Sequence, residues 1–182
     1  MPVPIVICDY NPRWPLEYAK EKERVLAAIG QYVLAMEHIG STSVPGLASK
    51  PIIDLAAGVR QFSDTDQCIE PLKKIGYVYV PEFERDLPGR RYFYRASGEE
   101  HTHHLHMVEI TSEFWKRHIF FREYLRAHPE QAQAYVQLKR ELAARYGADR
   151  PSYTSAKAEF IRHILTLAEE ELHGKLDVIP SE

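Results

Sequence analysis

The sequence predicts an α+β fold in which a mixed β-sheet with flanking helices precedes a helical C-terminal part. Short apolar and aromatic runs separated by turn residues fill the α/β core, to about residue 110. Helical patterns then continue from about residue 111 to 174. The 182 residues fall within the usual range of one domain, so a single domain over 1–182 is expected.

In the first part, proline, glycine and acidic residues mark where the predicted elements begin and end. Pro15 suits the first turn of a helix, and Gly30 suits its end. Apolar runs, alternating or continuous, predict strands. In chain order the predicted elements are a short strand or extended arm at 3–8, a helix from Leu16 to about Ile29, strands at 32–39 and 52–59 around a loop at 40–50, a helical segment that follows Asp64 and Asp66 and ends at about Ile75, and strands at 77–80, 90–95 and 103–109.

Three helices are predicted after Ser112, at 113–127, 130–146 and 153–173. Four aromatic residues of the first are expected in the core: Trp115, Phe120, Phe121 and Tyr124. Five polar residues of these helices are candidates for the wall of a cleft: Arg122, Arg126, Lys139, Tyr153 and Lys157. Only Lys157 is retained, because Arg and Lys at helical spacing are typical of a surface.

Composition excludes several classes of protein. The formal net charge of -3 gives no general positive field, which argues against nucleic acid as a partner. The two cysteines, Cys8 and Cys68, are too few for a disulfide framework, and the N-terminus lacks the basic region of a signal peptide. We expect a cytoplasmic protein that has no membrane partner. The sequence leaves the oligomeric state open.

The loop after the predicted strand at 32–39 has the composition of a phosphate-binding loop. Gly40 lets the backbone approach a ligand, and the amides from Ser41 through Thr42 to Ser43 can point at phosphate oxygens. Asp54 interrupts the apolar strand that follows and can hold a divalent metal, Mg or Mn, that bridges to those phosphates. The alternative is a plain turn, with Asp54 paired to a base such as Lys50.

The whole segment 39–55, IGSTSVPGLASKPIIDL, resembles the signature of the GrpB family, whose fold is similar to that of the nucleotidyltransferase superfamily. Later segments agree in order, among them Tyr92-Phe93 and the HisLeuHis run at 104–106, so the resemblance covers nearly the full chain. It implies a nucleoside triphosphate or another phosphorylated small molecule as ligand. In nucleotidyltransferases two carboxylates on this strand, one residue apart, share metal ions, whereas here Ala56 stands at the second position.

Histidines on a later strand offer replacement ligands. His104 and His106 are two residues apart, so they share one side of a strand and can bind a metal together with Asp54. Nitrogen ligands make Zn a candidate beside Mn or Fe. The alternative is a polar, solvent-facing strand. Glu109 has the opposite parity and could join this set only through a bulge.

Further site candidates lie on both sides of the loop. Glu37 or His38 shares the face of Asp54 if their strands are adjacent, and could act as a catalytic base; a buried His38 bonded to backbone is the alternative. Lys50, Arg91 and Lys157 are the candidates for holding the anion, since basic side chains bind phosphate oxygens. Arg90 is interpreted as a solvated loop charge.

Three functions remain open. The first is a metal-dependent nucleotidyltransferase that acts on an unknown acceptor, with Asp54 as the metal ligand. The second is a non-catalytic module that binds a nucleotide or another anion, since the second acid is missing. The third is a metal-dependent hydrolase built on Asp54, His104 and His106.

Overall fold

A computed structural model of the protein describes residues 4–175. It confirms the predicted α+β class: five strands form one mixed sheet, and helices cover both of its faces. The strands are β1 (Ala35–Ile39), β2 (Ile53–Val59), β3 (Val78–Tyr79), β4 (Arg90–Ser97) and β5 (Glu100–Glu109). The helices are α1 (Trp14–Ile29), α2 (Ile69–Lys74), α3 (Glu113–Ala127), α4 (Pro129–Tyr146), α5 (Arg150–Ala156) and α6 (Ala158–Leu172).

The sheet order is β1-β2-β5-β4-β3, and only the central pair, β2 and β5, is parallel. One face of the sheet packs against α1 and α2 through residues such as Leu55, Phe93 and Leu105. The other face packs against α3 through Ala56 and Trp115. Because side chains alternate along a strand, each position of β2 and β5 is assigned to one of these two faces.

The helical part forms its own apolar cluster beside the loop between β1 and β2. Phe120, Tyr135 and Ile164 of three different helices pack against Val44 and Leu47 of that loop. The helices therefore lie against the end of β2 where Asp54 is found. No helix among residues 4–175 is both long and apolar enough to cross a bilayer.

Several predicted boundaries differ from the structure. The predicted helix at 153–173 is two helices, α5 and α6, separated at Lys157. Asp64 and Asp66, which were predicted to precede a helix, lie in a 3-10 segment, Phe62–Cys68, and α2 follows it. The N-terminal arm makes a single bridge, Cys8 to Ser49, instead of a strand. Cys8 and Cys68 are both free thiols.

Candidate active site

Asp54, His104 and His106 form one cluster on the α3 face of the sheet. The parallel register of β2 and β5 sets Asp54 beside His104 and Ala56 beside His106. The Nδ1 atom of His104 is 3.0 Å from Oδ1 of Asp54, and Nε2 of His106 is 3.9 Å from the same oxygen. One ligand atom from each of the three residues lies within 4.8 Å of the others. We call this set the Asp–His cluster.

The charges of the Asp–His cluster suit a cation. Burial alone would raise the pKa of Asp54, but the two imidazoles outweigh it and hold that pKa below its usual value, so the carboxylate is ionised. Burial lowers the pKa of His106, which keeps its ring neutral. The Nδ1 atom of His106 is buried without a hydrogen-bond partner. The second ring nitrogen of His104 does have a partner, because its Nε2 lies within hydrogen-bond distance, 3.2 Å, of Nδ1 of His101.

Gly40 lies against the carboxylate of Asp54. Its φ is 70°, in the left-handed region that favours glycine. A Cβ atom at this position would lie 2.5 Å from Oδ2 of Asp54. Only glycine therefore lets the loop backbone come this close to the acid.

The hydroxyl residues after Gly40 divide into two roles, which corrects the expectation of a continuous amide cradle from Ser41 to Ser43. Ser41 lines the cavity beside Asp54. Thr42 and Ser43 are buried and fix the loop: the Thr42 hydroxyl donates to the carbonyl of Ile52, and the amide and hydroxyl of Ser43 both donate to Gly40. The amide of Ser43 is thus already bonded within the loop.

A cavity of about 200 Å³ extends from Asp54 and His104 toward α4 and the junction of α5 and α6. We call it the lysine cavity, because Lys50, Lys139 and Lys157 all line it. Its other lining residues are Gly40, Ser41, Ser49, Ile52, Tyr135 and Tyr153. It is the place where the N-terminal loop meets the C-terminal helices.

The three lysines of this cavity have no acid partner within ion-pair distance in the described chain. Burial, with the nearby Lys157 and Lys50, lowers the pKa of Lys139 to about 7. Burial, with Lys50, lowers the pKa of Lys157 to about 8, and burial also lowers the pKa of Lys50. Asp54 is the acid whose charge opposes this effect for Lys50 and Lys157. The cavity therefore concentrates positive charge beside one carboxylate.

Neutral groups are the contacts of the lysine side chains. The Lys139 ammonium donates to the carbonyl of Ala48 and lies 4.7 Å from the centre of the Tyr135 ring. The Lys157 ammonium lies 4.3 Å from the centre of the Tyr153 ring. Such contacts stabilise a cation without neutralising it.

Glu37 and His38, the two predicted bases, lie on opposite faces of the sheet. Glu37 shares the face of Asp54, but its Oε2 accepts a 2.6 Å hydrogen bond from Arg122. His38 stacks on Tyr18 on the α1 face, and its Nε2 lies 3.0 Å from the Thr42 hydroxyl. Burial lowers the pKa of His38 to about 4. His38 thus supports the loop from behind and does not point into the cavity.

Arg90, and not Arg91, lies on the face of the sheet that carries the Asp–His cluster. Arg91 pairs with Met107 in the register of β4 and β5, so it faces away from the Asp–His cluster and binds Asp66 and Glu84. This placement corrects its predicted role as anion clamp. Arg90 has the parity of Tyr92 and His106, so it lies on the site face. Arg90 is therefore the arginine that strand geometry brings toward the site.

Lys139 and Tyr153 line the cavity, although on the sequence alone both were set aside as cleft residues, and Tyr135 was not a candidate for the site. A signal for Lys139 was present, because it falls in the buried stripe of α4 formed by Ala132, Val136 and Leu142. A lysine at an apolar position of an amphipathic helix indicates a buried charge. Such a charge requires either a partner or a ligand.

The chain is similar in sequence and in structure to known proteins. A family model described as GrpB protein matches residues 4–167. YqkA of Bacillus subtilis (strain 168) is 42% identical over 158 residues, which cover 87% of this chain and 45% of YqkA, so the chain spans less than half of that relative. The glutamate-rich protein GrpB of Alkalihalophilus pseudofirmus is 34% identical, over 88% of this chain and 94% of that protein. A crystal structure of the conserved protein GrpB from Enterococcus faecalis matches with a TM-score of 0.82 and 35% identity, over 91% of this chain and 98% of that chain.

Proposed function

The chain belongs to the GrpB family, and we propose that it transfers a nucleotidyl group from a nucleoside triphosphate to an acceptor, with a divalent metal. The observation that carries this proposal is the lysine cavity, in which three cations without acid partners open onto the Asp–His cluster. A polyanion is the ligand that would neutralise them.

The lysines would hold the phosphate chain. Lys139 is 2% exposed, so an anion that reaches it leaves water and interacts in a low dielectric. Ser41 and the tyrosine hydroxyls of Tyr135 and Tyr153 add neutral donors around the same volume. No arginine is among the described residues that line this cavity, so its lysines supply the positive charge.

The Asp–His cluster fits a divalent ion. The ionised carboxylate of Asp54 and the neutral ring of His106 are in the forms that coordinate metals, and the Nδ1 atom of His106 has no hydrogen-bond partner. When bound, the metal would supply a positive charge that stabilises the phosphoryl oxygens. The two nitrogen donors favour Mn or Zn, while Mg prefers oxygen donors.

Each residue then has a definite task in the transfer. A nucleophilic oxygen or nitrogen of the acceptor would form a bond to the α-phosphorus, while the bond from that phosphorus to the pyrophosphate oxygen breaks and the proton of the nucleophile is released to water. Pyrophosphate would leave with the electron pair and remain paired with the lysines. Gly40 would let Asp54 and the loop approach the reacting phosphate at short range.

The test is a thermal-shift titration of the metal-stripped protein with ATP, GTP, CTP and UTP, each with Mg, Mn or Zn. A triphosphate at 100 times its dissociation constant should stabilise the fold by about 2.7 kcal/mol. We expect that shift to be lost in Lys157→Met and, for its metal-dependent part, in Asp54→Asn. Arg140→Gln removes one positive charge outside the cavity and should keep the shift. If no triphosphate shifts the wild type with any metal, the proposal is wrong.

Transfer is measured separately, with α-labelled triphosphates and a small-molecule extract as the source of acceptor. A labelled product that is absent with Asp54→Asn supports transfer. Binding without a labelled product would instead indicate a non-catalytic module, in line with the missing acid at Ala56.

The two histidines favour a second candidate, a metal-dependent phosphoester hydrolase, because one carboxylate with two imidazoles is a donor set typical of Zn. Water would then be the nucleophile and a phosphate monoester the product. Under this alternative, Zn or Mn alone stabilises the wild type, the double variant of His104→Ala and His106→Ala loses that shift, and p-nitrophenyl phosphate is hydrolysed. Triphosphate binding that survives in the double variant would favour the first proposal.

A further inference from the structure

A second cavity, of about 500 Å³, lies beside the lysine cavity on the α3 face. The two cavities share Gly40, Ser41 and Tyr135. Five apolar or aromatic side chains line the second one besides Tyr135: Leu87, Phe114, Phe121, Ile161 and Leu165. Its ionisable lining residues are Arg90, Glu113, Arg117 and His118. We call it the aromatic cavity. It adjoins the Asp–His cluster, since the ring of Phe114 is 5.3 Å from that of His106.

Arg90 brings a positive charge to this apolar wall. Its guanidinium lies over the rings of Tyr92 and Phe114, at 5.4 and 5.9 Å from their centres. Its Nε is buried and has no hydrogen-bond partner, and within residues 4–175 no carboxylate forms an ion pair with it. Arginine has five donors and no acceptor, so a partner must be an acceptor. The wall therefore combines apolar surface with a guanidinium whose buried Nε has no hydrogen-bond partner.

Arg90 and the neighbouring Arg91 differ in their ion pairs. Arg91, one residue further along β4, binds two carboxylates on the opposite face. Arg90 has none, although acids such as Glu82, Glu84 and Asp86 lie in the segment that precedes β4. A neutral ligand would leave the charge of Arg90 uncompensated, whereas an acidic group would neutralise it and bind the fork in a bidentate way.

We infer that the aromatic cavity binds the acceptor, and that this acceptor carries an apolar or aromatic body together with an acidic group held by Arg90. The inference rests on the proposed transfer function for the word acceptor, but the binding itself needs neither metal nor triphosphate. The shared wall at Gly40 and Ser41 sets the two ligands side by side. The lysine cavity would take the phosphate chain and the aromatic cavity the second substrate.

The test compares two fluorescent probes that have the same aromatic body. The sulfonate 8-anilinonaphthalene-1-sulfonate carries the acidic group, and N-phenyl-1-naphthylamine lacks it. With metal-stripped wild type we expect the sulfonate to bind more tightly than the neutral probe. Arg90→Met keeps an apolar stem and removes the fork, so the dissociation constant of the sulfonate should rise at least about tenfold while that of the neutral probe stays the same.

Controls separate the cavity from general effects. Arg140→Gln removes the same charge at an exposed site and should leave both probes unchanged. Leu165→Trp fills the apolar wall without adding a charge and should weaken both probes, with the near-ultraviolet circular dichroism of each variant reporting an intact fold. Equal effects of Arg90→Met on the two probes, or no effect on either, would overturn the inference.

Competition distinguishes this inference from the proposed function. ATP at saturating concentration should leave the sulfonate bound, because the two cavities are separate volumes. Displacement of the sulfonate by ATP or by adenosine would assign the aromatic cavity to the nucleoside and overturn its role as acceptor site. If ATP fails to bind at all, the proposed function fails, while the probe comparison still decides whether Arg90 defines an acidic-ligand site.

Discussion

Buried or partly buried cations of this molecule fall into two sets, one with carboxylate partners and one without. Arg91, Arg95 and Arg122 contact carboxylates of distant parts of the chain: Arg91 binds Asp66, Arg95 binds Glu21, and Arg122 binds Glu37. The lysines of the lysine cavity, by contrast, contact a carbonyl and aromatic rings. The same formal charge is thus compensated in one region and left uncompensated in the other.

Charge compensation therefore distinguishes cations that stabilise the fold from cations that are free to bind a ligand. A buried charge without a counterion costs free energy, and removing one partner of a buried pair costs about 3–5 kcal/mol. The arginines avoid this cost and join β1, β4 and the helices. The lysines do not avoid it, and their lowered pKa values are the result. We therefore expect substitutions of the arginines to lower the free energy of unfolding and substitutions of the lysines to raise it.

The largest effect is expected at the compensated region, for Arg122→Met. Arg122 donates to Glu37 at 2.6 Å and to the carbonyl of His38 at 2.9 Å, and its side chain is 10% exposed. Its removal leaves an acid and a carbonyl without their partner. The free energy of unfolding in urea should fall by about 3 kcal/mol. A loss below about 1 kcal/mol would show that the pair is dispensable.

Lys139→Met, in the lysine cavity, is expected to stabilise the protein. Methionine fills a similar volume without the charge, so the free energy of unfolding should rise by about 1–2 kcal/mol in low-salt buffer. The added stability that sulfate gives the wild type should be lost in the same variant. Lys139→Arg retains the charge and is the matched control. Destabilisation by Lys139→Met would mean that the lysine serves the fold and not an anion.

A smaller effect concerns pH, and it tests the lysines without mutation. Bound sulfate raises the pKa of Lys139 and Lys157 above their values of about 7 and 8 in the free protein. Sulfate affinity is then complete below pH 7 and falls as the pH rises through 7 and 8. Between pH 6.5 and 8.5 we expect a loss of about tenfold, or ~1.4 kcal/mol, by calorimetry without metal. Sulfate keeps its charge throughout this range, so a flat profile would contradict protonated lysines as the binding groups.

The smallest effect is expected outside both regions. Arg140 and Asp9 form an ion pair of 2.6 Å, but their side chains are 53% and 90% exposed. Exposed pairs contribute about 0–1 kcal/mol, because water and salt screen them. Arg140→Gln should change the urea midpoint little and leave sulfate binding intact. A loss above about 1 kcal/mol would show that exposure does not separate the regions as argued.

Much of the fold was predictable because it depends on local patterns. The strands that carry Asp54, His104 and His106 follow from apolar periodicity and breaks at glycine, and the structure confirms these strands. The convergence of those three side chains was a hypothesis about strand order, and the parallel pairing of β2 with β5 brings them together. Their role as metal ligands stays a prediction.

Other features depended on long-range geometry that no local pattern encodes. The choice between Arg90 and Arg91 required the register of β4 against β5, which assigns each to a face. The separation of α5 from α6 falls at Lys157, where neither glycine nor proline signals an end. The lysine cavity itself exists only where α4 packs beside the loop from Gly40 to Lys50.

The three lysines stand at positions 50, 139 and 157, so nearly the whole described chain must be in place before they meet. In kinetic terms, their mutual repulsion opposes the last approach of α4 and α5 to the end of β2. A multivalent anion that enters between them removes that repulsion and should speed this closing step. We therefore expect the rate at which the chain completes its fold to depend on the anions around it.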